Sequence, residues 1–371
     1  MDKLKSPSDK VLYQAIMEMQ EPVVFQHMLQ NEKGEYCWKL LEWNLSELAE
    51  KFGDIKLPFR LGYNARSMTP QWEINCSTVS ITLSYFIQNM NLHEDNGQWF
   101  DIDKTGDDST LWIGSKGAHT NCHQDSYGCN LVAQIHGSKQ WLLFPPSSSN
   151  FLQPTRIPYE ESTIYSKYNF FCPTKEDEIN ILKIQDTARL VTLEPGDVLF
   201  VPPGWWHYVE SLELTVSVNI WLPIITDNIS RVKEAIVKLI VTRIGKDVNN
   251  VPNDTECIDL LNIAIGECKT MTNVGSSSGK IKRNIWTAKD LVTEYPIYVK
   301  LLHELSHTEL KEFLRMKRER FPEVYIESVK EDSKPYIDIQ NTCASQDLTE
   351  KVVNALCHPD VVNKVSELLL S

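Results

Sequence analysis

The chain is 371 residues long, 42% apolar and 23% charged, a balance that supplies a sizeable core and excludes a disordered or fibrous protein. Its 37 Lys and Arg against 50 Asp and Glu give a formal charge of −13, so the overall field attracts neither nucleic acid nor an anionic membrane, though it suits a basic peptide. No apolar run reaches about 18 residues, and the opening MDKLKSPSDK lacks the apolar core of a secretory signal. Nine cysteines occur without a CxxC pair. The expectation is reduced thiols and a cytoplasmic chain, with the nucleus as a second location.

Residues 8 to 50 carry helical spacing, interrupted at Pro22-Val23-Val24-Phe25 by what reads as a short buried strand. The run STVSITLSYFIQNM (77–90) places Val79, Ile81, Leu83, Phe86 and Ile87 at spacings compatible with a helix capped by Ser77 or Thr78. From 110 to 223 the texture changes. TLWIG, NLVAQIHG, KQWLLFPP, ARLVTL, DVLFVPP and LTVSVNIWL are short β-branched or aromatic runs separated by GSKG, HGSK, EPGD and PPGWW turns. That pattern predicts a mainly β sandwich or jelly roll rather than a βαβ fold. The Ser-, Pro- and Tyr-rich stretch 146–187 reads as an insertion wrapping one mouth of the barrel.

After Pro223 the pattern turns helical, with Ile229, Val232, Ile236, Leu239 and Ile240 on one stripe and Gly245 as a stop. A Ser/Gly linker is expected at 273–283, then helices over 286–319 and 347–370. Three regions follow: an N-terminal helix/strand region 1–109, a β core 110–223 and a helical region 224–371. The basic runs 280–283 and 315–320 read as solvated faces.

The segment GAHTNCHQDSYGCN (117–130) places His123 and Asp125 two residues apart, so in an extended strand both point the same way. Two histidines and a carboxylate on one face form the ligand set of non-haem ferrous oxygenases. The second histidine is expected from a distant strand, and His207 in PGDVLFVPPGWWHYVES is the candidate, held at the rim by Trp205 and Trp206. His-x-Asp alone recurs by chance beside turns. Its combination with His207 and with polar residues between them is what carries the reading.

Lys139 opens the strand KQWLLF, and a lysine inside a barrel needs a partner. The far carboxylate of an anionic cosubstrate would suit it, with Thr120 adding a hydroxyl. Asn219 shares a polar strand face with Thr215 and Ser217, and Asn130 projects into the same space. Cys122 and Cys129 read as packing.

On AHTNCHQDSYGCNLVAQIHGSKQWLLFPP and LEPGDVLFVPPGWWHYVESLELTVSVNIW the chain resembles the JmjC family of Fe(II)- and 2-oxoglutarate-dependent oxygenases, in the branch that contains an asparaginyl hydroxylase. Within that branch, STLWIGSKGAHTNCHQDSYGCNL, PTRIPYEES and ALCHPDVVNKVSELLLS resemble a subgroup associated with a small heat-shock protein. The resemblance covers roughly 10–230 and, more weakly, the C-terminus. It implies a double-stranded β-helix (jelly-roll, cupin-like) core flanked by helices. It implies iron ligation by His123, Asp125 and His207, with His119 outside the ligand set, and 2-oxoglutarate contacts from Thr120, Asn130, Lys139 and Asn219. It also implies a protein hydroxylase acting on a protein or peptide, with a small heat-shock protein as partner and a role in stress response. One departure stands out: relatives carry a tyrosine-bearing strand that helps hold 2-oxoglutarate, whereas NLHEDNGQWFDIDKTGDDS (91–109) has no tyrosine. Tyr127 is the candidate replacement.

Three other readings compete. HELSH (His303 to His307) spells a zinc-protease HExxH, with Glu327 as a conceivable third ligand. Ser306 and Glu309 form a capping box, however, so one helix is expected to end at 305 and another to begin. A scaffold without turnover would use the amphipathic segments Ile229–Ile240 and Val352–Leu370 for homodimerisation or to dock a chaperone. Histone lysine demethylation keeps the chemistry and changes the substrate, though no reader-type cysteine cluster accompanies it.

Overall fold

The computed structural model describes residues 6–31, 33–95, 97–105, 109–185, 187–245, 256–275, 286–321 and 344–371. α1 (Asp9–Glu18) is capped by Ser8 and leads into β1 (Val23–Phe25), which is buried throughout. α2 (Leu45–Phe52) starts at a full capping box between Asn44 and Glu47. β2 (Lys56–Tyr63), β3 (Ser77–Thr82), α3 (Leu83–Asp95) and β4 (Gln98–Thr105) follow. The helix expected from residue 77 therefore begins six residues late. STVSIT alternates β-branched and hydroxyl residues, pairs with β2 as a strand, and only then does the Thr82 hydroxyl accept the Tyr85 amide at 3.1 Å to start the helix.

β5 (Thr110–Gly114), β6 (His119–Asp125), β7 (Cys129–His136) and β8 (Lys139–Phe144) open the run of short strands. β9 (Pro154–Thr155), β10 (Thr163–Ser166) and α4 (Lys175–Ile181) lie in the stretch 146–187, which extends the sheet beside β6 and packs on its outer face. β11 (Arg189–Leu193), β12 (Val198–Val201), β13 (Trp206–Ser211) and β14 (Thr215–Leu222) complete the core. The helical region holds α5 (Asp227–Ile244), α6 (Cys257–Gly275), α7 (Ala288–Glu294), β15 (Val299–Leu301), β16 (His303–Glu304), α8 (His307–Glu319), α9 (Ala344–Leu356) and α10 (Pro359–Leu370).

Two antiparallel sheets face one another, in the orders β15-β1-β12-β7-β14-β5-β4-β2-β3 and β16-β11-β8-β13-β6-β10-β9. This is the mainly β jelly roll with terminal helices. Both faces of β8 and β13 are covered, so parity decides where each side chain goes. Trp141, Leu143 and Val209 pack between the sheets against Val132, Leu199 and Val201. Leu142, Phe144, Trp206 and Tyr208 turn outward, under Phe170, Phe171, Ile181, Leu310 and Leu314.

Several expectations are corrected. Residues 296–305 are not a helix: β15 pairs with β1 and β16 with β11, and Val299 and Leu302 are buried while Leu301 is exposed. α8 begins at the Ser306–Glu309 capping box, as the sequence predicts. His303 and His307 thus share no helix and bond separately to Glu309 and the Leu182 carbonyl, so the HExxH geometry is absent. Glu327 lies outside the described residues.

The basic run 315–320 is solvated only in part: Arg315 is exposed, whereas Lys317 and Arg320 each reach Glu210 at 2.5 Å and, against its burial, hold its carboxyl down at about 2. The run 280–283 lies outside the described residues, as does most of the expected linker, whose residues 273–275 end α6. Val352–Leu370 is two helices, broken where Pro359 opens α10. On α5, Val232 and Ile236 are buried with Val237 and Val241 against α6, α9 and α10, whereas Ile229 is exposed. Among the described residues no helix is long and apolar enough to cross a membrane.

Candidate metal centre

β6 and β13 run antiparallel with His123 directly opposite His207. Their ring centroids are 4.1 Å apart, and His123 Nε2 lies 3.8 Å from Asp125 Oδ1. One ligand atom from each of His123, Asp125 and His207 falls within 4.8 Å of the others. Each histidine turns its Nδ1 back to a carbonyl two residues earlier, His123 to Asn121 at 2.9 Å and His207 to Trp205 at 3.0 Å. A carbonyl only accepts, so Nδ1 carries the proton and the Nε2 lone pair is left for a cation. Burial, then the neighbouring His123, hold the His207 imidazole down at about 4, so it is a neutral ligand. This donor set fits a divalent metal with three positions left open. His207 is not at the rim: it sits within β13, 2% exposed, while Trp206 points to the outer core and Trp205 packs between the sheets.

Thr120 faces the same interior although its parity differs from that of His123. The register explains it, because His207 pairs with His123 but Val209 pairs with Thr120, leaving an extra residue in β6. This bulge re-aims the strand halfway along. Thr120 and His123 turn inward, while Cys122 joins the outer core. His119 turns outward too, stacking on Phe171 at 3.8 Å, and burial pushes it down to about 4.

A cleft of about 890 Å³ opens on the three ligands and is also lined by Thr120, Asn130, Lys139 and Asn219. Every residue read from the sequence as part of the site is therefore brought together. Lys139 has the parity of Trp141, which is why a charged side chain points inward, and its Nζ donates to Ser217 Oγ at 2.8 Å. Burial pushes its ammonium down to about 8, opposed by the carboxylates of Asp101 and Glu73. Asn219 accepts from Trp112 Nε1 at 2.8 Å and donates to Asn130 Oδ1 at 3.2 Å, so both amides are oriented.

Sequence reading missed three residues. Glu73, from the turn before β3, accepts the Thr120 hydroxyl at 2.5 Å. Trp221 Nε1 donates to Asp125 Oδ2 at 3.2 Å, which aims the carboxylate. Tyr165 lies opposite His123 in the β10 register, ring centroids 5.9 Å apart, and bonds Glu160. Glu73 and Tyr165 lie outside the quoted motifs, and Trp221, though it closes LTVSVNIW, carries no local mark of its bond to Asp125. Tyr127 lines the same cleft, under Arg231 and near Glu161 and Glu234.

Residues 64–227 match the cupin-like domain. The chain is 39% identical to HSPB1-associated protein 1 of Homo sapiens, over 61% of this chain and 52% of that protein. It is 34% identical to the HSPB1-associated protein 1 homolog of Danio rerio, over 68% of this chain and 66% of that one. It is 36% identical to Lysine-specific demethylase JMJ31 of Arabidopsis thaliana, over 30% and 20%. The chain spans about half the length of the mammalian relatives it matches, 52% to 56%.

Proposed function

Because the chain carries a cupin-like domain of the JmjC type over residues 64–227, we propose that it is an Fe(II)- and 2-oxoglutarate-dependent oxygenase that hydroxylates a protein or peptide. The observation that carries this is the convergence of His123, Asp125 and His207, with both Nδ1 atoms already engaged by backbone, at one end of a cleft that also holds Lys139. When bound, Fe(II) with 2-oxoglutarate and oxygen supplies an oxidant for a substrate C–H bond, and succinate and carbon dioxide leave. The chain's residues position and exclude. His123 and His207 offer Nε2, and Trp221 holds Asp125 in place for the third donor. Lys139 offers its charge to the far carboxylate of the cosubstrate, and Asn130 and Asn219 form a polar wall whose geometry is set by Trp112. Such pre-set contacts let binding energy go into orientation rather than reorganisation.

The partner we propose is a small heat-shock protein, which rests on the name of the HSPB1-associated relatives, with a cytoplasmic location, the nucleus second, and a role in stress response. A second reading, removal of a methyl group from lysine, draws on the similarity to JMJ31 and on Asp103, Glu160 and Glu161 lining the cleft, which suit a cationic side chain. The test is succinate formation by purified protein with Fe(II), 2-oxoglutarate and peptide pools. Succinate with a stable gain of one oxygen supports the hydroxylase, whereas succinate with formaldehyde supports demethylation. Absence of both, together with absence of metal binding, defeats the oxygenase reading. In cells, an effect retained by Asp125→Ala would favour a non-catalytic scaffold.

A further inference from the structure

The Lys139 end of the cleft is already supplied with carboxylates. Glu73, with a side chain 8% exposed, accepts the Thr120 hydroxyl through Oε1 and lies 3.4 Å from Arg60 through Oε2. Arg60 is itself taken up by Asp101, at 2.7 and 3.1 Å, and by Asp103 at 3.1 Å. Arg60 thus meets three carboxylates before any ligand arrives, and Lys139, bonded to Ser217, lines the same cleft as Glu73 and Asp103. A tail carboxylate reaching Lys139 would find Thr120's only proton committed elsewhere. It would also find the ammonium's charge answered from within the protein, and a like charge alongside in a poorly solvated pocket.

We propose that Glu73 is a specificity-determining residue that competes with the tail carboxylate of the cosubstrate for the Thr120 hydroxyl beside Lys139. The cleft therefore discriminates poorly between 2-oxoglutarate and a 2-oxo acid lacking the second carboxylate. This rests on the oxygenase reading above and on the placement of Glu73 beside Thr120. Glu73→Gln removes the like charge at nearly the same shape, and with its amide nitrogen turned to Thr120 Oγ1 the hydroxyl's proton passes to the ligand.

The experiment uses the full chain loaded with Mn(II) without oxygen, titrated calorimetrically with 2-oxoglutarate and with 2-oxopentanoate. In the wild type the two dissociation constants should lie within about threefold of each other. In Glu73→Gln, 2-oxoglutarate should tighten by at least about tenfold, while 2-oxopentanoate changes little. Unchanged or weaker 2-oxoglutarate binding by a folded Glu73→Gln overturns the role of Glu73 and leaves the oxygenase reading standing. Binding of neither acid to metal-loaded protein of either form overturns the cosubstrate reading and this inference with it. Should Glu73→Gln not fold, the wild-type ratio decides: a preference for 2-oxoglutarate of more than about tenfold overturns the inference, and near-parity supports it.

Discussion

His123 and His207 are register partners on adjacent antiparallel strands, with ring centroids 4.1 Å apart and each Nδ1 bonded to a carbonyl two residues back. Each ring is thus set by its own strand, and the pairing of the strands alone brings the two Nε2 atoms together. Asp125 follows from strand parity and is trimmed by Trp221. The donor geometry is therefore built into the core of the sheet, where backbone hydrogen bonds resist distortion.

Trp221→Phe is expected to keep the fold, because the ring is partly exposed, and to weaken divalent metal binding by about 10- to 100-fold, the usual cost of losing a partner behind a ligand. Titration with Co(II), followed by its ligand-field absorption, measures this. An unchanged affinity would mean that Asp125 needs no help.

Lys139 should impose an alkaline limit on cosubstrate binding. Its pKa stands at about 8 in the folded chain, so it is charged below that pH and discharges as pH rises through it. Affinity for 2-oxoglutarate should fall above pH 8, at up to about tenfold per pH unit for the loss of one proton. The stability effect has the opposite sense: the unfolded lysine keeps its proton to higher pH, so this group's contribution to stability rises with pH above 8. Lys139→Met should remove both effects. Calorimetric titration and urea unfolding across pH 7 to 9 would detect them, and a flat affinity profile would contradict the role given to Lys139.

Arg156 and Glu234 form a buried bidentate pair, both contacts 2.7 Å, and the same carboxylate accepts the Ser126 hydroxyl and the Ser162 amide. It ties α5 to the loops at the lip of the cleft. Arg156→Met should cost about 3–5 kcal/mol, because it strands a buried carboxylate, whereas Arg156→Met with Glu234→Leu should recover much of that loss. Urea unfolding of the three proteins checks it. A single-variant loss below about 1 kcal/mol would show that water or another donor replaces the arginine.

By itself the sequence determined the run of short core strands, the polar face of β14, the two histidines with their aspartate, and the inward placement of Lys139, Asn130 and Asn219. Side-chain period is a local property that survives in one dimension, and short β-branched runs between turns announce it. Over 77–82 and 299–304 the local signal misled, because a few apolar residues fit a helix or a strand equally until a partner strand chooses between them. Only the tertiary structure decided the bulge in β6 that turns Thr120 inward, the arrival of Glu73 and Trp221 at the site, and the burial of Lys317 and Arg320 against Glu210. Each of these depends on which chain segment, distant in sequence, lies alongside, and no periodicity within one segment encodes its neighbour.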